Sequence, residues 1–236
     1  MKYLSIDTTT KVTALALAED SKVIAEGFLH TNKTHSERLI PMLDQLLLAA
    51  SWKLSDLDFI GVVRGPGSFT GIRIGIATAE GFAQVLNIPV IGVTSLEALA
   101  WAGYGRDEEI VPILDARKNE WYTARFRWSP EDQLECLTQP CAKTHESWLE
   151  ELKRLDRTVL FVGDAVPHYK DKIIKFLGAR ARILPDYLSL PRGAYVSCEV
   201  WRQWSEKGFS GTVEPYYIRL SEAEVNYAKK EAEDRK

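Results

Sequence analysis

Three features of the 236-residue sequence predict an α/β protein made of two related units. The chain opens with a run of β-branched segments broken by short polar turns, and strands then alternate with helices, which implies parallel pairing in a helix-flanked sheet. The opening pattern of strand, aspartate, polar turn and strand then recurs: YLSIDTTTKVTALAL over 3–17 is matched by PILDARKNEWYTARF over 112–126. Asp7 and Asp115 end strands at equivalent places.

Taken in order, 2–7, 11–18 and 22–30 read as strands of a meander, separated by the TTT and EDS turns. Leu39 to Ala50 is an apolar helical segment, 58–63 a strand, and 64–75 a glycine-rich loop running into a helix that ends near 86. A strand over 89–94 and a helix over 95–102 close the first unit, 1–103. In the second unit, 104–220, a strand over 158–164, a helix over 168–178 and a further helix near 193–207 follow the repeated hairpin. The tail, 221–236, is rich in charge without an apolar stripe and is expected to be a solvated, frayed end.

With 45% hydrophobic residues the chain is long enough to bury a sizeable core. A charge appears too early for a signal segment, and the longest uncharged run, Gly81 to Leu96, is broken by Pro89, so neither export nor a membrane span is expected. Cys136, Cys141 and Cys198 have no paired spacing and suit reduced thiols, which makes a cytoplasmic location the expectation. A net charge of −3 supplies no basic field of the kind that drives nucleic-acid affinity, so any service to RNA is expected to run through a partner.

The stretch RGPGSFTGIRIG over 64–75 holds four glycines between a strand and a helix. It is not a Walker loop, since Ile72 and Arg73 follow Gly71, and it is not a dinucleotide fingerprint, since Thr70 stands at the third glycine position. Ser68 lacks the flanking glycines of a nucleophile elbow, and no histidine pair has metal-ligand helical spacing. Two uses fit the loop equally: an anion held by backbone N–H groups at the helix start, or a tight strand-to-helix turn. In the helix, Gly71, Gly75, Ala79 and Ala83 recur every four residues as a smooth ridge. Glycines inside a helix cost about 1 kcal/mol each, which close backbone approach would offset. Leu39, Ile40, Met42, Leu43, Leu46, Leu47, Ala49 and Ala50 cover an arc of roughly 180° at helical spacing, more than one sheet face requires. The two helices therefore point to a helix-to-helix protein interface over an all-intramolecular core. Pro41 fits if the helix starts just before it, where backbone N–H groups are unpaired.

Together with that loop, IDTTT at 6–10, HSERLIPML at 35–43, ILDAR at 113–117 and EWY at 120–122 resemble the bacterial TsaB (YeaZ) family, over most of residues 1–125. The resemblance implies an actin-like, heat-shock-chaperone-like ATPase fold of two related α/β domains, the second reduced. It implies a partnership with the catalytic subunit TsaD in installing threonylcarbamoyl on adenosine next to the anticodon of tRNAs that read codons beginning with A, with TsaE and TsaC in the same pathway. It also implies pairing through helices 36–51 and 69–86, with TsaD or with a second copy when alone. On that basis Leu39, Leu43, Leu46, Leu47, Ile72, Gly75, Ile76 and Ala79 are expected to carry the contact, with Arg73 and Glu80 as its polar rim. Asp7, Thr8, Thr9, Thr10, Arg64, Gly65, Pro66, Gly67 and Ser68 are expected to border an ATP or ADP held at the assembled complex.

Departures from a working member of that superfamily imply a scaffold without chemistry. The first phosphate turn reads Asp7, Thr8, Thr9, Thr10 where a glycine is expected, and His30 and His35 are five apart rather than the four of the catalytic paralogue's metal pair. No metal, no tightly bound cofactor, no catalytic residue and only indirect contact with tRNA are therefore expected. The rival is an independent small-molecule kinase or ATPase using Asp7 and Asp115, although both aspartates equally suit turns that accept local backbone N–H bonds. A peptidase is a more distant alternative.

Overall fold

Leu4 and Ile6 face one side of strand β1 (Lys2–Asp7) and Tyr3 the other, and this alternation places a different layer on each face of the first sheet. The computed structural model describes residues 1–31, 33–208 and 212–219. β1 pairs antiparallel with β2 (Thr13–Glu19), which pairs antiparallel with β3 (Lys22–Leu29). On its other edge β1 pairs in parallel with β4 (Phe59–Val63), and β4 with β5 (Val90–Val93). The order is β3-β2-β1-β4-β5. Helices α1 (His35–Ala50) and α2 (Phe69–Leu86) make the returns between parallel strands, so they run in the same direction over the face of Leu4 and Ile6. Thr34 and Ser68 stand at their N-termini, and Ser51 and Asn87 end them in left-handed conformations.

The second sheet repeats this plan. β6 (Glu109–Asp115), β7 (Glu120–Trp128) and β8 (Leu134–Thr144) form the meander, and β9 (Val159–Val162) and β10 (Ala181–Ile183) extend it in parallel on the far side of β6. The returns are α4 (His145–Lys153) and α5 (Val166–Leu177). The second unit is reduced in its helices, 9 and 12 residues against 16 and 18 in the first, while each sheet keeps five strands.

The remaining helices cross over. Leu96 and Leu99 of α3 (Ser95–Ala100) pack with Ile110 and Phe126 on the second sheet. After the short α6 (Asp186–Ser189), α7 (Gly193–Lys207) returns to the first sheet, where Val196 and Val200 meet Tyr3 and Phe59. Within the expected unit 104–220, then, α7 packs on the first sheet, and α3 of unit 1–103 covers the second. The boundary is an exchange of helices rather than a point in the sequence. Buried Glu199 fastens the exchange, accepting from Trp101 Nε1 at 3.0 Å, Arg202 Nη2 at 2.6 Å and Gln203 Nε2 at 2.8 Å.

One expectation needs correction. Pro41 lies more than a turn inside α1, which begins at His35, so an unpaired helix start does not explain it; its ring points to solvent. β8 and β10 carry no strong sequence pattern, because an edge strand containing Pro140 and a three-residue strand each bury little, while α4 is a short helix that buries Trp148, Leu149 and Leu152. The charged tail, 221–236, lies outside the described residues.

Candidate functional site

The turn between β1 and β2 is built by Asp7, whose Oδ1 accepts Thr9 N at 2.8 Å and Thr9 Oγ1 at 2.7 Å. Its equivalent between β6 and β7 uses Asp115, whose Oδ1 accepts Arg117 N at 2.8 Å. Both aspartates are therefore turn-formers that accept local N–H groups. The two turns face each other across a cleft of about 800 Å³ between the lobes.

The glycine loop packs against the first turn. A Cβ on Gly67 would collide with the Thr9 carbonyl, one on Gly71 with the Thr8 carbonyl, and one on Gly75 would lie 2.6 Å from Thr8 Oγ1. Ser68 N donates to Thr9 O at 2.6 Å, and Thr8 Oγ1 donates to Gly71 O at 2.7 Å. Gly71 N reaches Ser68 Oγ at 3.3 Å, the N-cap bond of α2. One donor at this helix start, Ser68 N, is thus taken by the chain's own threonine turn, and another, Gly71 N, by the Ser68 side chain. Of the two uses open to the loop, the structure favours the tight turn.

Thr9, Thr10, Gly67 and Ser68 reach the cleft wall, whereas Arg64, Gly65 and Pro66 do not line it. Gly65 O and Pro66 O instead accept from Ser95 N at 2.9 Å and Ser95 Oγ at 2.6 Å, anchoring α3. Residues 212–219 form a strap over this region. Tyr216 N donates to Arg64 O at 2.7 Å, the Tyr217 ring stacks on Phe69 with centroids 4.7 Å apart, and Arg219 Nη1 donates to Ala116 O at 3.2 Å and Glu120 Oε2 at 2.6 Å. The strap therefore holds α2 of the first lobe and the β6–β7 turn of the second.

Several cleft residues were not singled out by sequence reasoning. Asp164, just past β9, accepts Asp115 N at 3.4 Å, and burial pushes its carboxyl up to about 7; the negative charges of Asp115 and Asp7 add to this, while the Asp115 hydrogen bond and the Lys11 charge oppose it. Burial also raises the Asp7 carboxyl against its two bonds from Thr9. Arg117, Lys118 and Asn119 adopt left-handed φ values of 59°, 52° and 62°, a run that costs about 1–2 kcal/mol per non-glycine residue. The sequence pattern places a polar turn here, but no glycine advertises its left-handed backbone. On the opposite wall, Arg38 is buried and donates to the carbonyls of Leu29, Thr31, Thr34 and Lys11, and His35 bridges Thr13 Oγ1 and Thr10 O at 2.7 and 2.8 Å. These two hold the loop before α1. Among the described residues, no three His, Cys, Asp or Glu side chains are placed to hold a metal ion together.

The helical residues expected to touch a partner are distributed differently. Leu39, Leu43, Leu47, Ile72, Gly75, Ile76 and Ala79 are buried in the first core, and Leu46 is half-buried. The physical reason is that α1 and α2 lie side by side on one sheet face and over the Thr8 turn, which uses most of the apolar arc and the glycine ridge. Arg73 and Glu80 are exposed. The same helices also expose apolar side chains that the expectation omitted: Leu48 is 82% and Val85 83% exposed, with Ile40, Ala77 and Gly81 on the same outer surface. A Cβ added at Gly81 would meet nothing within 4 Å, so this surface is open.

A family model described as TsaD, tRNA N6-adenosine threonylcarbamoyltransferase, matches residues 29–227. The tRNA threonylcarbamoyladenosine biosynthesis protein TsaB of Bacillus subtilis (strain 168) is 36% identical over 227 residues, 96% of this chain and 98% of that protein. TsaB of Escherichia coli (strain K12) is 36% identical over 129 residues, 54% of this chain and 55% of that protein. YeaZ from Pseudomonas aeruginosa shares the fold with a TM-score of 0.74 at 24% identity, covering 93% of this chain and 99% of that one. The activator of 2-hydroxyisocaproyl-CoA dehydratase from Clostridium difficile, solved with bound ADPNP, shares the fold with a TM-score of 0.51 at 11% identity, covering 90% and 100%. The duplicated sheets are those of an actin-like, heat-shock-chaperone-like ATPase fold. With similarity to the Bacillus subtilis protein running nearly end to end, the chain belongs to the TsaB (YeaZ) family.

Proposed function

We propose that this chain acts in making threonylcarbamoyladenosine in tRNA as a non-catalytic scaffold, docking on TsaD through the outer surface of α1 and α2. The observation that supports the non-catalytic reading is the packing of Gly67 and Gly71 against the Thr9 and Thr8 carbonyls, with Ser68 N donating to Thr9 O, so that this loop serves to hold the chain's own turn. Docking is supported by the exposed Leu48 and Val85, with Arg73 and Glu80 nearby as polar groups. In this reading TsaE joins the complex, ATP or ADP sits at the assembled interface, and the chain alone pairs with a second copy through the same surface. The setting is cytoplasmic, and no helix among the described residues is long and apolar enough to cross a membrane.

Co-purification of TsaD with the chain tests the proposal. A Leu48→Asp/Val85→Asp variant that folds normally is expected to lose TsaD, whereas unchanged recovery would reject the docking surface. A second reading, an independent kinase or ATPase, is favoured by the gathering of Asp7, Asp115 and Asp164 around one cleft. Turnover of ATP by the pure chain that is abolished in Asp164→Asn would establish it in place of the first.

A further inference from the structure

Residues 212–219 form no helix or strand, so the strap keeps its place through side-chain anchors, and these differ along its length. Its first end is seated in the first lobe. Val213 is buried in that core against Gly92, where an added Cβ would lie 2.7 Å from Val213 Cγ1, and a Cβ on Gly65 would lie 2.5 Å from Tyr216 O. Midway, Tyr217 is held to α2 by two residues one helical turn apart: its ring stacks on Phe69, and its hydroxyl accepts from Arg73 Nε at 3.2 Å. Arg73 Cζ in turn lies 3.9 Å from the centre of the Phe69 ring, so Arg73, Phe69 and Tyr217 make one stack. The far end reaches the second lobe through Arg219, on Ala116 O and Glu120 Oε2. Arg219 and Glu120 are 31% and 28% exposed, so this clasp is partly wet and screened by salt, unlike the buried anchor at Val213.

Tyr217 and Arg219 are two residues apart, a separation that extended chain spans in at most about 7 Å. Little chain is available to absorb a movement, so the α2 stack and the β6–β7 turn are mechanically joined. What Arg219 holds is a wall of the cleft: Ala116 and Arg117 line it, and the turn is closed by Ala116 N on Glu120 O and Glu120 N on Arg117 O, both at 3.0 Å. Arg73 is exposed on α2, and with its Nε on Tyr217 its two Nη groups keep the fork geometry that accepts a carboxylate. A partner carboxylate can therefore engage Arg73 without displacing Tyr217.

We propose that the strap is a latch between the outer surface of α2 and the cleft. An acidic group of a docked partner fixes Arg73, which holds Tyr217 on Phe69 and seats Arg219 on the β6–β7 turn; release of Arg219 loosens Arg73 in return, because such coupling is reciprocal. For its partner, the latch rests on the docking reading given above.

The test is hydrogen exchange of the full chain, followed residue by residue by NMR. Tyr217→Ala is expected to speed exchange about tenfold at Ala116 N and Glu120 N in the second lobe, and Arg219→Ala to speed it about tenfold at Arg73 Nε on α2, with the amides of β1 unchanged in both. Faster exchange confined to the substituted end in both variants, or acceleration in β1 as large as at the distant end, would overturn the latch. Saturating TsaD is expected to slow exchange at Ala116 N and Glu120 N in the parent but not in Arg73→Ala. No slowing in a parent chain that has bound TsaD would overturn the coupling. Failure of the parent to bind TsaD would reject the docking reading instead, and the Tyr217 and Arg219 variants of the chain alone would still decide whether the two ends are joined.

Discussion

Gly71 lies so close to the Thr8 carbonyl that no Cβ fits between them. Its neighbours Gly67 and Gly75 meet the same threonine turn. The loop that resembles a phosphate cradle in sequence is, in the fold, the clasp between β1–β2 and α2.

Gly71→Ala is therefore expected to destabilise the chain by about 1–3 kcal/mol, because backbone must move. Gly81→Ala, on open helix surface, is expected to stabilise it by about 0.5–1 kcal/mol through helix propensity. Urea denaturation of the two variants checks the contrast, and equal effects would mean that the clasp carries no constraint.

The helices divide into a buried and an exposed side. Leu43→Ala, in the first core, is expected to cost about 2–5 kcal/mol. Leu48→Ser, on the exposed side, is expected to leave stability within about 0.5 kcal/mol of the parent while reducing self-association, measured by sedimentation.

Asp164 gives a pH dependence of defined sign. Its carboxyl titrates near 7 in the fold against an ordinary value of 3.8. Between those values the folded chain binds a proton that the unfolded chain lacks, so this stabilisation is full below pH 3.8 and is lost as pH rises through about 7. Asp164→Asn is expected to be more stable than the parent at about pH 8 and nearly equal at about pH 4, measured by chemical denaturation.

His145 acts in the opposite direction. It is fully buried, stacked on Trp121 with centroids 4.3 Å apart, and burial together with the Lys172 charge lowers its titration below 6.5. The unfolded chain then binds the extra proton, so stability is present above 6.5 and is lost as pH falls below that value. His145→Phe is expected to flatten this acid limb of the stability curve.

The duplicated hairpins were legible because a strand that ends in aspartate before a polar turn is a local pattern, and α2 and α7 were legible from their apolar spacing. The exchange of α3 and α7 between lobes was not, since periodicity tells which face is apolar but not which sheet covers it. The same ambiguity placed Leu43 and Ile72 at an interface rather than in the core. Within the cleft, Asp7 and Asp115 were visible as turn-formers. Asp164 and the strap at Arg219 depend on long-range proximity that no spacing records.

The central claim is that the chain supports tRNA modification by docking rather than by chemistry, and the measurement that tests it most directly is mass spectrometry of tRNA nucleosides from cells depleted of the chain and complemented with variants. The account predicts that threonylcarbamoyladenosine falls on depletion, returns with the parent and with Asp164→Asn, and stays low with Leu48→Asp/Val85→Asp. Unchanged levels on depletion, or failure of Asp164→Asn together with rescue by the docking variant, would contradict it.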